Sequence, residues 1–191
     1  MRIALIQGHP DPAGGHFCHA LAGAYLEAAR AAGHEVRTVE VARLDFPLLG
    51  SAAEWQSGAP PAAIGAAQQT IAWAQHLVFV FPLWLGDVPA RLKGFLEQAL
   101  RPGFAIGESE ERRMGKKLLK GRSARLVVTM GMPAFFYRAW YRAHSVKSLA
   151  RNVLGFCGVH PVSASLVGTV DSPTARQRAL AKVRALGKTA K

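Results

Sequence analysis

Apolar runs of strand length alternate along the chain with stretches in which apolar residues recur at helical spacing. Turn-forming residues close each apolar run, so the runs predict five strands, at residues 3–7, 35–41, 77–81, 125–130 and 159–167. The periodic stretches predict five helices, at residues 17–32, 61–74, 89–100, about 137–156, and from Ser172-Pro173 onward. Residues 45–60 are rich in Pro, Gly and Ser and are predicted to form a loop.

This alternation of strands and helices predicts the α/β class. Repeated strand–helix units form a parallel sheet with helices on both faces. Because crossovers are right-handed, five such strands favour the doubly wound, flavodoxin-like order 2-1-3-4-5. No linker or internal repeat divides the chain, so we expect a single domain over residues 1–191. In such a sheet a ligand binds beyond the carboxyl ends of the strands.

Composition narrows the class of protein further. Half of the 191 residues are hydrophobic and 19% are charged, which excludes a disordered chain. Cys18 and Cys157 match no zinc or redox spacing and are expected to be small buried hydrophobes. No export signal or bilayer-length apolar run is visible, so we expect a cytoplasmic protein without membrane insertion. The unusual number is the formal net charge of +12.

Three loops at the predicted carboxyl edge carry the candidate chemistry. The first, residues 8–17, opens a helix whose N-terminal N–H groups can face an anion, although a turn without a ligand is an alternative. It has neither a P-loop lysine motif nor a G-x-G-x-x-G fingerprint. The second loop, residues 81–89, is apolar and contains Trp84, and the third spans residues 129–133. None offers an activated nucleophile or a carboxylate pair, so the pattern favours a planar, phosphorylated cofactor, a flavin.

The second loop and the helix after it resemble a known family. The segments Phe81-Pro82-Leu83 and Val88-Pro89-Ala90-Arg91-Leu92-Lys93-Gly94-Phe95 look like the signature of flavin-dependent NAD(P)H:quinone oxidoreductases. Bacterial drug-modulator quinone reductases and the ancillary flavoproteins of potassium-efflux systems share this pattern. Further matches are His16-Phe17-Cys18, Thr129-Met130-Gly131 and Phe156-Cys157-Gly158-Val159. The resemblance covers nearly the whole chain in the right order.

The resemblance implies a set of site residues. At the phosphate and ribityl end of the flavin it implies His9, His16, Phe17, Cys18 and Arg176; along the ring, Pro82, Leu83, Trp84, Leu85 and Gly86; at the pyrimidine side, Thr129 and Gly131. It implies Tyr137 and His144 as the catalytic pair that takes up charge during hydride transfer. His16 and Cys18 stand where the family usually has Ser and Asn. His16 and His19 are three apart, but no further ligand accompanies them, so no metal site is predicted.

The resemblance also implies an activity. It is two-electron, ping-pong hydride transfer from NAD(P)H through bound FMN or FAD to a quinone or related small acceptor, in a homodimer with the site at the interface. Trp140 and Tyr141 would then line the neighbouring subunit's pocket. The sequence leaves open FMN or FAD, NADH or NADPH, and the natural acceptor. The alternatives are a regulatory subunit docked on a potassium-efflux transporter and a one-electron carrier of the flavodoxin type, which the positive charge disfavours.

The positive charge is concentrated in two clusters. They comprise Arg112, Arg113, Lys116, Lys117, Lys120, Arg122 and Arg125, and Arg176, Arg178, Lys182, Arg184, Lys188 and Lys191. We expect these clusters to form a solvated basic face. The alternative is that they attract NADPH or the phosphates of the flavin. No aromatic residues alternate with these charges, so nucleic-acid binding is not predicted.

Overall fold

The centre of the molecule is a five-stranded parallel sheet. The structure is a computed structural model that describes residues 1–107 and 115–191, so Arg112 and Arg113 of the first basic cluster lie outside the described residues. The strands are β1 (Arg2–Gln7), β2 (Glu35–Glu40), β3 (His76–Pro82), β4 (Ser123–Thr129) and β5 (Val162–Val167). Their order is β2-β1-β3-β4-β5, and every pairing is parallel. The predicted fold class and strand order are confirmed.

Helices cover both faces of this sheet. They are α1 (Phe17–Ala31), α2 (Ala52–Ser57), α3 (Ala62–Trp73), α4 (Ala90–Ala99), α5 (Ala134–Ala139), α6 (His144–Ser148), α7 (Gly155–Cys157) and α8 (Pro173–Thr189), with a π-helical turn, Leu149–Leu154, joining α6 to α7. Within residues 1–107 and 115–191, no helix is both long enough and apolar enough to cross a membrane.

The central strand β3 separates two hydrophobic cores. All seven of its residues are buried. Phe79 and Phe81 pack into the core under α3, α4 and the segment after β4, whereas Val78 and Val80 pack into the core under α1 and α8. Side chains alternate between the faces of a strand, so a strand covered on both sides reads as a continuous apolar run. This burial fixes where the carboxyl end of β3 emerges.

Two sequence predictions about helices are wrong. The helix predicted over residues 137–156 is interrupted, because Arg142 and Ala143 both have φ near +51° and separate α5 from α6. Left-handed backbone cannot continue a right-handed helix. The loop predicted over residues 45–60 contains α2, whose start is capped by Ser51, the Oγ of which accepts the Glu54 N–H at 3.1 Å. The last strand begins at Val162 rather than Val159, after a proline that lacks an N–H.

Candidate functional site

The loops after β1, β3 and β4 meet at the carboxyl edge of the sheet. The Leu83 N–H donates to the Thr129 carbonyl at 2.7 Å, which joins the second loop to the third. The Cys18 Sγ lies 3.1 Å from the Thr129 Oγ1, which joins the first turn of α1 to the same residue. The structure therefore brings together the three loops in which the sequence places the cofactor contacts.

Side-chain hydrogen bonds hold the first loop, residues 8–16, which we call the histidine loop. The His9 N–H donates to the Gln7 Oε1 at 2.8 Å, and the Asp11 N–H donates to the His9 Nδ1 at 3.2 Å. The Asp11 carboxylate in turn lies 2.7 Å from the His16 Nε2, and this hydrogen bond lowers the pKa of Asp11. Gln7 is buried, and its Nε2 has no partner in the described part of the chain.

Three imidazoles and one indole gather around this loop. The rings of His9 and His16 stack with centroids 4.0 Å apart, and His19 lies 5.2 Å from His9. Trp84 of the second loop meets His9 edge-on at 5.8 Å. The described residues contain no group of three His, Cys, Asp or Glu side chains placed to hold a metal ion, and this cluster is no exception.

Burial keeps two of these imidazoles neutral at pH 7. The pKa of His9 is lowered to about 4, mainly by loss of hydration and also by the neighbouring charges of His16 and His19. The Asp11 carboxylate raises this pKa, but by less than the other causes lower it. Burial is also the main reason why the pKa of His19 is lowered. A bound anion would oppose both effects and favour protonation.

The N-terminus of α1 completes an anion-binding surface. His16 occupies the N-cap position but its side chain makes no capping bond, and in the described structure the amides of Phe17 and Cys18 have no hydrogen-bond acceptor. The Arg176 guanidinium lies over the Phe17 ring, 5.2 Å from its centroid. The positive end of a 15-residue helix, two free amides and a guanidinium therefore lie beside the histidine loop.

The second loop has a different construction. Trp84 and Asp87 exchange two main-chain hydrogen bonds, each 2.9 Å long, around a tight turn that we call the Trp84 turn. Its central residues, Leu85 and Gly86, have φ of +47° and +81°, as in a type I′ turn. The side chain of Leu85 is fully exposed and that of Trp84 is half exposed. The amides of Leu85 and Gly86 have no acceptor within the described residues.

A cavity of about 310 Å³ opens beside the Trp84 turn. Its walls are Leu85, Gly86, Met132, Tyr137 and Tyr141, and we call it the aromatic cavity. Tyr137 is buried, and its Oη lies 2.7 Å from the Ser145 Oγ. The second predicted catalytic residue, His144, is not part of this wall and lines a neighbouring cavity instead. The structure therefore separates the predicted Tyr–His pair into adjoining cavities.

Neither cysteine is arranged as a nucleophile. Burial raises the pKa of Cys18 to about 11 and that of Cys157 to about 11. Both thiols therefore stay protonated at neutral pH, and a thiol is a poor nucleophile compared with a thiolate. The predicted burial of both cysteines agrees with the structure.

Some functional candidates were not singled out from the sequence. Gln7 and Asp11 build the histidine loop, and Met132 forms part of the aromatic cavity, yet none belongs to the implied residue set. The sequence does place a polar Gln7 at the end of a buried strand, which was an available signal. The hydroxyl of Thr129 contacts Cys18 and its carbonyl accepts from Leu83, contacts that the sequence did not predict, and its role at the flavin stays a prediction.

Comparisons with known proteins agree with this architecture. A family model described as the flavodoxin-like fold matches residues 1–188. A ribosyldihydronicotinamide dehydrogenase-like protein of Penicillium crustosum is 28% identical over 179 residues, 81% of this chain, which spans only 65% of that relative's length. An FMN-dependent NADH:quinone oxidoreductase of Azotobacter vinelandii is 33% identical over 129 residues, which are 64% of this chain and 62% of the relative.

A solved structure shows the same fold. The NAD(P)H:quinone oxidoreductase from Methanothermobacter marburgensis superposes with a TM-score of 0.80 at 24% identity. The alignment covers 97% of this chain and 94% of the other. The likeness therefore extends over the whole sheet and its helices.

Proposed function

Since the chain belongs to the family of the flavodoxin-like fold, we propose that it is a flavin-dependent NAD(P)H:quinone oxidoreductase. It takes two electrons as hydride from NADH or NADPH and passes them to a quinone or a related planar acceptor. One observation carries the proposal. The N-terminus of α1, which can bind an anion, lies at the same edge of the sheet as the exposed indole of Trp84, which meets His9 edge-on at 5.8 Å. Relatives named for NADH:quinone oxidation support it.

The residues present fit a flavin. The amides of Phe17 and Cys18, which have no acceptor among the described residues, would hold its phosphate, with His16 and Arg176 beside them. The Oε1 of Gln7 accepts from the His9 N–H, and its Nε2, which has no partner among the described residues, would supply a further donor. FMN and FAD share this first phosphate, and the FMN-dependent relative favours FMN.

The Trp84 turn serves the ring of the flavin. When bound, the flavin supplies a site that accepts hydride from NAD(P)H and later gives it to the acceptor. Pro82, Leu83 and Trp84 would form an apolar edge for the flat ring. The amides of Leu85 and Gly86, which have no acceptor within the described residues, would stabilise negative charge on it. Thr129 and Gly131, two residues apart, would lie at the pyrimidine side.

The aromatic cavity holds the reacting partner. Tyr141 and Met132 offer apolar surface for a nicotinamide or quinone ring, and the Tyr137 Oη is the hydroxyl held in place by Ser145. Stacking the two reactants here fixes their orientation and excludes water. We propose that the Tyr137 hydroxyl holds a proton during the reaction, whereas the role of His144 as its partner stays a prediction.

The assembly is proposed to be a homodimer. Four aromatic side chains around α5 are exposed, namely Phe135, Phe136, Trp140 and Tyr141. Phe136 and Trp140 stack in parallel with centroids 6.2 Å apart. An exposed apolar patch of this kind marks an interaction surface, and a second subunit would cover the open side of the aromatic cavity. A cytoplasmic location and docking on a transporter stay predictions.

Flavin identity and turnover test the proposal. Purified protein should be yellow, NADH or NADPH should bleach the colour, and a quinone should restore it. Release of the flavin and its mass distinguish FMN from FAD. A protein that stays colourless after incubation with both flavins would contradict the proposal. Light scattering measures the oligomeric state, and a monomer would contradict the homodimer alone.

A further inference from the structure

A second cavity, of about 330 Å³, lies next to the aromatic cavity. It is lined by Arg142, His144, Lys147, Ser148, Arg151 and Asn152, and we call it the basic cavity. None of its three permanent cations belongs to the two basic clusters predicted from the sequence. The basic cavity is therefore a separate feature of the positive surface.

Among residues 1–107 and 115–191, no carboxylate forms an ion pair with the basic cavity. The ion pairs among the described residues are His16–Asp11, Arg43–Glu40 and Lys93–Glu97, and none includes a residue of this cavity. In the sequence, no Asp or Glu occurs between Glu111 and Asp171. Two guanidiniums and one ammonium that have no carboxylate partner in the described part of the chain favour an anionic ligand.

Unusual backbone builds the walls of the basic cavity. Arg142 and Ala143 adopt the left-handed conformation, which is costly for residues with a side chain. The π-helical turn Leu149–Leu154 carries Arg151 and Asn152, and the Asn152 Nδ2 donates to the Ser148 Oγ at 3.3 Å. Both kinds of irregularity concentrate at functional sites.

The two cavities share one segment of chain. Tyr141 lines the aromatic cavity and Arg142, the next residue, lines the basic cavity, so their Cα atoms are about 3.8 Å apart. Tyr137 of the aromatic cavity contacts Ser145, which follows His144 of the basic cavity. A dinucleotide with its nicotinamide in the first cavity would have to extend along this shared segment to bring its adenosine end to the cations.

We propose that the basic cavity binds the 2′-phosphate monoester of NADPH and makes this protein prefer NADPH to NADH. The assignment rests on the proposed function, because it deepens the description of the same co-substrate. A phosphate monoester carries close to two negative charges at neutral pH and three acceptor oxygens. Arginine pairs with such a group through two parallel hydrogen bonds, and lysine adds a point charge. NADH has only a hydroxyl at this position.

Nucleotide titration of the full-length protein tests the assignment without turnover. Adenosine 2′,5′-bisphosphate should bind at least tenfold more tightly than AMP by calorimetry. The double variant Arg142→Ala/Arg151→Ala should lose this preference, and Arg151→Lys should keep part of it. The matched control Arg30→Ala/Arg138→Ala removes the same net charge from exposed arginines outside the cavity and should keep the preference in full.

Turnover supplies the second measurement. The ratio of kcat/KM for NADPH to kcat/KM for NADH should fall by up to about a hundredfold in the cavity variant, since this variant removes two cations and each hydrogen-bonded cation contributes about a factor of ten. Equal binding of the two adenosine nucleotides, an equal loss in the control variant, or inorganic phosphate competing as well as the bisphosphate would overturn the assignment. A preference that persists without NADPH oxidation would contradict the proposed function instead.

Discussion

The two ends of the candidate site are held in place by different kinds of hydrogen bond. The histidine loop is held by side chains, through the contacts of Gln7 with His9, His9 with Asp11, and Asp11 with His16. The Trp84 turn is held by main-chain hydrogen bonds, and its side chains project into solvent. The first end therefore depends on residue identity and pH, whereas the second depends on backbone geometry.

The two ends are nevertheless connected through one residue. Thr129 contacts Cys18 through its hydroxyl and Leu83 through its carbonyl. A displacement of the first turn of α1 is therefore transmitted through Thr129 to the loop that carries Trp84. Acid, a change of backbone and the loss of this connection should each affect the two ends differently.

Acid should produce the largest effect. In the unfolded chain His9 protonates at its usual pKa of 6.5, whereas in the folded protein its pKa is about 4. Below pH 6.5 the unfolded state therefore binds the additional proton, so the free energy of unfolding falls between pH 6.5 and about 4 and is unaffected by this residue above that range. The loss is up to about 3 kcal/mol, or a few hundredfold in the folding equilibrium. Urea unfolding at a series of pH values measures it.

A histidine at the opposite edge of the sheet provides the control. His76, at the start of β3, also has its pKa lowered to about 4 by burial. His9→Asn and His76→Asn should each flatten the pH dependence of stability, but only His9→Asn should weaken flavin binding. Equal flavin affinity in both variants would contradict the role of the histidine loop.

A change of backbone at the Trp84 turn should have the next largest effect. Gly86→Val places a β-branched residue at φ +81°, which costs about 2 kcal/mol or deforms the turn. We expect roughly a thirtyfold fall in kcat/KM for NAD(P)H, with flavin still bound through its phosphate. Gly121→Val is the matched control, since Gly121 has φ +82° with open space around it, before the amino end of β4. It should lose similar stability and keep kcat/KM.

Flavin affinity should depend on pH at the histidine loop. His9 and His19 are neutral at pH 7, and a bound phosphate stabilises their protonated forms, so binding takes up protons. FMN affinity should therefore rise as pH falls from about 8 to about 6. The expected rise is about tenfold, because binding takes up part of one proton over this pH range. Fluorescence titration measures it. Riboflavin, which lacks the phosphate, should bind with little pH dependence, and His34→Asn is the histidine control away from the loop.

Loosening the connection between the two ends should have the smallest effect. Cys18→Ala removes the contact with the Thr129 hydroxyl and should cost about 1 kcal/mol of stability. Cys157→Ala removes an equally buried thiol far from the loops. Thermal unfolding should show similar losses for both variants. A changed flavin affinity in Cys18→Ala alone would confirm the route through Thr129.

Periodicity predicted the sheet because buried parallel strands leave a strong local signal. The apolar run from Leu77 to Phe81 needs cover on both faces, and that requirement already places β3 at the centre. The break at Arg142 and Ala143 left no such signal, since neither residue is the Gly or Pro that usually marks one. Helical spacing continues across the break in the sequence, although the backbone does not.

The site was predictable in outline but not in its contacts. The loops after β1, β3 and β4 must meet in a parallel sheet of this order, so the sequence locates the edge. The stacking of His9 on His16 and the contact of Cys18 with Thr129 join residues whose approach depends on tertiary packing. The basic cavity depends on the π-helical turn, which spacing rules for α-helices do not anticipate.

The protonated thiol of Cys18 has one more consequence. Quinones are electrophiles that alkylate cysteine thiolates, so an enzyme that handles them risks modifying itself at each encounter. A buried thiol with a pKa of about 11 offers almost no thiolate at neutral pH. Under the proposed function, the thiol that joins the two ends of the site would therefore react only slowly with an electrophilic quinone.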